Sequence, residues 1–283
     1  MKLKYLIIIL IISSCSILPQ KYHLEYSIGK FKDASSFYMS SSGFLYITDS
    51  GNDEIYKLDT LGNVVKDFGG YGWSEGTFDN PVDIFATPLN VYVCDKNNHR
   101  IQRFDKDLNF ISQLSTRDND NKNERFGYPA SCATSNMGDL FILDTENKRI
   151  LKFDLFGNFI MNFGGFDAGA YALSNPKKFA ISPDNFLFVL DGKRIVVFDQ
   201  YGNGVSIFDS NYEFESINII FNKLTVNTKQ NILFADLKSR FSLTEIILEE
   251  LEENTGIVSS LIFYNKLYIL TPGKVLVYQK TEP

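Results

Sequence analysis

The stretch CDKNNHRIQRFDKDLN, residues 94–109, puts a histidine, two arginines and three carboxylates within sixteen positions. Imidazole beside carboxylate is the donor set of a metal site and equally of a general acid–base pair. Either chemistry would make His99 the working group. The chain has one other histidine, His23, so a site needing several imidazoles is poorly supplied.

What positions these residues is a repeat. Aligning on an apolar run that ends in Asp gives LYITDSGNDEIYKLDTLGN from Leu45, VYVCDKNNHRIQRFDKDLN from Val91, LFILDTENKRILKFDLFGN from Leu140 and LFVLDGKRIVVFDQYGN from Leu187. A degenerate fifth copy starts at Ile232 and a sixth at Leu267, where Thr271 replaces the Asp. The anchors Asp49, Asp95, Asp144, Asp191 and Asp236 are separated by 46, 49, 47 and 45 residues, and Thr271 follows after 35 more. That last short step reads as a truncated fifth unit. Periods of this size mark stacked or radial repeats.

Each unit alternates as strands do, in Ile55-Tyr56-Lys57-Leu58 and Ile101-Gln102-Arg103-Phe104. Gly-Asn turns at Gly62-Asn63, Gly157-Asn158 and Gly202-Asn203 supply the positive φ of tight connections. Twenty-five Phe and fifteen Tyr tilt the composition the same way. Four short strands in a period of about 45 residues make a propeller blade. The expected fold is all-β, a six-bladed β-propeller of four-stranded antiparallel blades. The blades fall near residues 31–77, 78–125, 126–172, 173–215, 216–255 and 256–283. Residues 22–29 are expected to close the ring beside the last strand, which removes two exposed sheet edges.

Between units run FGGYGWSEGTFDNP from Phe68, FGGFDAGAYALSNP from Phe163 and the polar STRDNDNKNERFGYP from Ser115. Asp, a polar loop, Asn-His-Arg-Ile-Gln-x-Phe, then Gly-Gly-x-Gly and Phe-x-x-Pro resembles NHL-repeat β-propellers, well over residues 31–210 and weakly beyond. His99 lies on the His of that motif. Its counterparts are Asp53 or Glu54, Lys148 and Lys193, so the repeat demands no ligand there. The repeated Asp49, Asp95, Asp144, Asp191 and Asp236 are expected to accept backbone N–H bonds from the loop that follows. Arg100, Arg149 and Arg194 are expected to pair with those carboxylates or with a neighbouring blade. On this reading the opening stretch is scaffold.

Loops between second and third strands share a face with the inter-blade loops. That face carries the candidate binding residues Tyr71, Trp73, Arg117, Arg125, Tyr128 and Tyr171, with Phe166 beside them; Trp73 is the only tryptophan. Exposed aromatics next to Arg are common binding anchors. Phe78 and Phe126 are expected to cover blade junctions instead. Asp118 and Asp120 could hold a cation, but their loop lacks the Gly and distal Glu of an EF-hand and reads as solvated. The innermost strands are expected to begin near Phe37, Asp83, Ser131, Lys178, Leu224 and Ser259, a ring with one carboxylate. Propeller lactonases hold calcium with several inner acidic groups, and peptidylglycine lyases, which the repeat resembles, need a set of His ligands. No catalytic residue, metal or cofactor is therefore expected. The Glu-rich SLTEIILEELEENTG, residues 242–256, departs from the pattern and reads as a distorted outer strand or a short helix.

Lys2 and Lys4 followed by the apolar run Tyr5–Ile12 read as an export leader over residues 1–14, too short to span a bilayer. Ile12-Ser13-Ser14-Cys15 resembles the lipobox of bacterial lipoproteins. The resemblance implies acylation of Cys15, a short linker over 15–21, and membrane attachment in the bacterial cell envelope. Cys94 and Cys132 could form a disulfide in that compartment, but their apolar contexts favour buried free thiols. A net charge of −6 and a pI near 5.1 argue against nucleic acid. The expected function is that of a monomeric, lipid-anchored module binding an envelope protein or glycan. The competing reading is a metal-dependent lactonase or lyase working in the channel.

Overall fold

The computed structural model describes residues 20–239, 241–251 and 255–281. The leader, Cys15, the linker up to residue 19 and residues 252–254 of the Glu-rich segment lie outside the described residues.

Alternating short apolar runs and turns fold into strands throughout. β1 (Lys21–Ile28) precedes blade one, which comprises β2 (Ala34–Met39), β3 (Leu45–Asp49), β4 (Glu54–Leu58) and β5 (Val64–Gly69). Blade two is β6 (Pro81–Ala86), β7 (Asn90–Asp95), β8 (Arg100–Asp105) and β9 (Phe110–Leu114). Blade three is β10 (Pro129–Thr134), β11 (Leu140–Asp144), β12 (Arg149–Phe153) and β13 (Phe159–Phe163). Blade four is β14 (Pro176–Ile181), β15 (Leu187–Asp191), β16 (Arg194–Phe198) and β17 (Gly204–Asp209). Blade five holds β18 (Ser216–Ile220), β19 (Lys223–Asn227), β20 (Ile232–Asp236) and β21 (Thr244–Glu245). After β22 (Ile247–Glu249), blade six supplies β23 (Ser259–Phe263), β24 (Lys266–Leu270) and β25 (Val275–Lys280).

Each blade is an antiparallel meander, and β1 completes blade six by pairing antiparallel with β25, from Tyr22↔Lys280 to Ile28↔Val275. Second strands such as β3, β11 and β15 are buried at every position. Both faces of these strands are covered by neighbouring blades, so their sequences are near-continuous apolar runs. Outer strands such as β5 alternate between exposed and half-buried positions. Six apolar clusters among the described residues fill the six blade junctions; one joins Phe37 and Ile47 of blade one to Leu261 and Tyr268 of blade six.

Blade five departs from the sequence expectation. Its innermost strand is β18, whereas Leu224 lies in the second strand β19. Asp236 therefore ends the third strand, at the opposite face, where it is exposed and its carboxylate accepts, among the described residues, its own turn's Lys238 N–H (2.9 Å). The residue ending the second strand is Asn227, so the alignment on Asp236 was one strand out of phase. The short step is the passage from blade four to blade five, not a truncation of blade five. The Glu-rich segment forms no helix over its described residues; it gives β21 and then β22, which leaves blade five and pairs parallel with β1 (Lys21↔Ile247, His23↔Glu249).

Candidate functional site

The inter-blade loops and the second-to-third-strand loops form one face, called upper here; the other turns form the lower face. The repeated aspartates build the upper face. Asp49 accepts the N–H groups of Lys32 and Asp33, both at 2.8 Å. Asp95 accepts Asp79 N–H (2.8 Å), Asp144 that of Gly127 (3.1 Å), and Asp191 those of Ser174 (2.9 Å) and Asn175 (2.5 Å). These donors lie in the loop arriving from the previous blade, more than in the loop that follows. The aspartate thus pins the chain just before it enters the innermost strand.

An arginine completes the clamp. Arg100 Nε donates to Asp95 Oδ2 (2.7 Å), and its remaining donors reach the carbonyls of Trp73, Ser74 and Thr77. Arg149 bonds Asp144 (3.3 Å) and the carbonyls of Lys122 and Arg125. Arg194 bonds Asp191 (2.7 Å) and the carbonyls of Ala170 and Ala172. A planar guanidinium with five donors suits this shared task. Burial pushes the Asp95 carboxyl up, while its backbone, Asn98 and Arg100 partners pull it down. The motif that looked like chemistry holds the loops that could bind.

His99 sits in the β7–β8 loop with φ 50°; Asp53 and Lys148 occupy the same left-handed position in their blades. Its ring lies edge-on to Tyr128 (4.3 Å between centroids), and Nδ1 accepts the Tyr128 N–H (3.0 Å). Arg117 Nη1 approaches both ring nitrogens (2.8 and 3.0 Å) and stacks over Tyr128. Burial and the Arg117 charge hold the imidazole below its ordinary pKa. The position is therefore packed against neighbours more than the sequence implied. His23 lies at the lower end of β1 beside Thr281, so the two histidines are on opposite faces.

The candidate residues divide. Tyr71 and Trp73 (70% exposed) meet edge to face at 5.7 Å, and Phe166 and Tyr128 are also exposed. Phe78 and Phe126 are buried, the first against Phe104 and the second against Phe153. Tyr171 is half-buried against Phe198 and over Gly204 and presents no free ring. Arg125 is turned back onto the Asn119 carbonyl (2.5 Å). Asp118 and Asp120 are exposed, in a loop gathered around Glu124 by Asn119 and Asn121.

At the axis, Ser36 rather than Phe37, and Asn218 rather than Leu224, occupy the polar positions. Asp83 is buried; Lys178 Nζ binds its Oδ1 at 2.9 Å, and the hydroxyls of Ser36 and Ser131 donate at 2.7 and 2.8 Å. Below them Tyr38 and Phe85 meet at 4.8 Å, and the cavity at this level is about 10 Å³, room for one water at most, with a lower opening of about 400 Å³ beneath it. The channel is thus blocked midway. Above the block opens a mouth of about 540 Å³ carrying Lys96, Lys177, Lys178 and Lys229 against Glu215. Lys177 is held by Glu213 and Glu215 (3.2 and 3.3 Å). Sequence reasoning placed Lys178 at an innermost strand and missed Lys96, Lys177 and Lys229 at the mouth. The signal for part of the axis was there: Asp83, Ser131 and Lys178 each stand two positions after a strand-opening Pro. Cys94 and Cys132 are free and buried, and burial pushes the Cys94 thiol up. Among the described residues no group of three or more His, Cys, Asp and Glu is arranged to hold a metal.

This ring resembles solved structures across nearly its whole length. Streptogramin B lyase aligns over 92% of this chain and 98% of its own, with TM-score 0.64 and 15% identity. The fold is that of a six-bladed β-propeller. Virginiamycin B lyase from Staphylococcus aureus, solved as a catalytically inactive histidine-to-alanine form with quinupristin, gives TM-score 0.61 at 12% identity over 90% of this chain and 98% of its own. By sequence, the Drosophila melanogaster Brain tumor protein is 30% identical over 127 residues, 44% of this chain and 12% of its own length. A Caenorhabditis elegans protein named as a probable peptidyl-α-hydroxyglycine α-amidating lyase is 26% identical over 136 residues, 46% of this chain and 39% of its own. The chain therefore spans well under two thirds of either relative. These matches support the NHL-type repeat. No protein-family model matches the chain.

Proposed function

We propose that the chain is a lipid-anchored propeller of the bacterial cell envelope whose upper face binds a protein or glycan bearing acidic groups. The observation that carries this reading is the display of Tyr71, Trp73, Tyr128 and Phe166 on clamped loops, around a blind mouth with four lysines. Rigid aromatics lose little entropy on binding, and Lys96 and Lys229 add cationic contacts at the mouth. The envelope location rests on the leader and on the Cys15 motif.

The lyase neighbours suggest the second reading, catalysis at the upper face. What weighs against it is the placement of the two imidazoles on opposite faces, where they cannot meet across one substrate. Affinity for acidic envelope glycans and for envelope proteins, measured with immobilised protein, tests the first reading. Trp73→Ala and Lys229→Ala should each weaken capture at least about tenfold, the cost of one good anchor, with an unchanged melting temperature. Undiminished capture by both variants would sink it. Turnover of a bound ligand that survives both substitutions would favour the second.

A further inference from the structure

The lower face has no part in that reading, and apolar side chains stand out from its turns among charged and polar ones such as Lys106 and Asp107. Leu61, Leu89, Met137, Phe156, Tyr201 and Tyr264 all stand exposed there. Phe221 adds one from blade five, so every blade supplies at least one. The turns explain the display. Asp154 accepts the N–H groups of Phe156 and Asn158 (2.8 and 2.9 Å), and Asp59 and Asp199 do the same for Leu61 with Asn63 and for Tyr201 with Asn203. Each carboxylate is folded onto its own turn, and the middle side chain is thrown outward; Phe156 is 81% exposed. Single exposed apolar residues are ordinary, but a set drawn from every blade onto one face marks an interaction surface.

The path of the chain says what covers it. β1 enters the ring from below, since Tyr22 pairs with Lys280 at the lower end of β25, and Thr281 N–H donates to the Lys21 carbonyl (2.9 Å). Gln20 thus leaves the lower face on the side of blade six, where Tyr264 meets Phe221 at 5.9 Å. Cys15 is five positions upstream of Gln20, a span of at most about 18 Å when fully extended. That is no more than the height of one blade, since a strand of this length measures about 17–20 Å. A cavity of about 310 Å³ is lined by Gln20 at the exit, with Lys223 and Lys280 on its wall facing Asp236, its one described carboxylate. Two ammonium groups there suit a lipid headgroup phosphate.

We propose that the lower face rests on a lipid bilayer, with its apolar turn tips among the headgroups, so that the upper face points away from the membrane. This orientation rests on the reading of Cys15 as the anchor. It gives the seven exposed tips and the exit of β1 one explanation.

Trp73, on the upper face, is a built-in reporter. The full chain is reconstituted into phosphatidylethanolamine–phosphatidylglycerol vesicles with brominated acyl chains, which quench nearby indoles. Trp73 should keep its emission. A Trp73→Phe/Phe156→Trp variant should lose about half, as expected for a ring seated at the acyl boundary. Trp73→Phe/Tyr264→Trp gives an independent reading near the exit. Equal quenching at both faces overturns the proposal. So does a vesicle-bound chain in which only Trp73 is quenched, or one whose lower faces cross-link into dimers with no quenching at either tip. The mass of the Cys15 peptide from expressing cells reads the anchor separately. Acyl chains on Cys15 with Trp73 quenched would sink the orientation and spare the anchor. Unmodified Cys15 would sink the anchor, while quenching at the lower tips would still support the face.

Discussion

Blades two and five are built from the same four-stranded meander but hold their upper ends by different means. In blade two the buried pair of Asp95 and Arg100 ties the incoming loop through one carboxylate and three loop carbonyls. In blade five the corresponding position is Asn227, whose amide reaches the carbonyls of Thr228 (3.1 Å), Ile257 and Val258 (3.4 Å each). Nearby, Asn218 donates to Ser259 Oγ (2.8 Å), and Thr225 to the Ser260 carbonyl (2.7 Å). The first arrangement is a charged clamp, the second a neutral network. The repeat motif is therefore a signature of how loops are pinned, and a blade can dispense with it. In blade two the charged version grips the loop that displays Trp73.

The comparison can be broken at its charged end first. Arg100→Ala leaves Asp95 buried without its counter-ion and should cost about 3–5 kcal/mol in denaturant unfolding, with a shift in Trp73 emission. A loss below about 1 kcal/mol would mean the clamp is decorative. Lys178→Met should cost a similar amount by stranding Asp83 at the axis, and adding Asp83→Asn should restore much of it. Asn227→Ala removes only neutral bonds and should cost about 1–3 kcal/mol. If it matches Arg100→Ala, the distinction between the two blades collapses. Asp236→Ala should fall within about 0.5 kcal/mol of the parent, because the residue is exposed and the one hydrogen bond of its carboxylate among the described residues is to its own turn. The smallest effect concerns pH. His99 is held below its ordinary pKa, so the unfolded chain takes up a proton first as pH falls. Its contribution is complete above the unfolded value, near 6.5, and is lost as pH drops toward the folded value. His99→Gln should flatten that part of the melting-temperature profile, and an unchanged profile would show that the imidazole is not the titrating group.

Much of the ring was legible because blades one to four repeat a charged motif at near-constant spacing, and because β1 reads as a stray outer strand. Blade five was misphased because the eye follows Asp. Asp236 offers a carboxylate after an apolar run, whereas the true counterpart, Asn227, carries no such flag. Phe37 was placed at the axis for a related reason. Register shifts after Ala34 and after the strand-opening prolines advance the inward position by one residue, and a bulge leaves little trace in an alternating pattern. The candidate upper face was partly legible. Loop aromatics can be assigned to a face by topology, but whether a ring is free or packed depends on contacts far along the chain. Tyr171, settled over Gly204, shows this. The lysines of the mouth come from three different blades and share no motif.

The strand β1 is gripped on both edges, by β25 on one side and β22 on the other, and it runs upward from the point where the chain enters. A tug delivered through Gln20 therefore acts along the strand, loading its cross-strand bonds together in shear instead of peeling them one by one. Such a seam resists extraction far better than a zipper of equal length. The ring would sooner keep its grip on whatever holds its beginning than open at that joint.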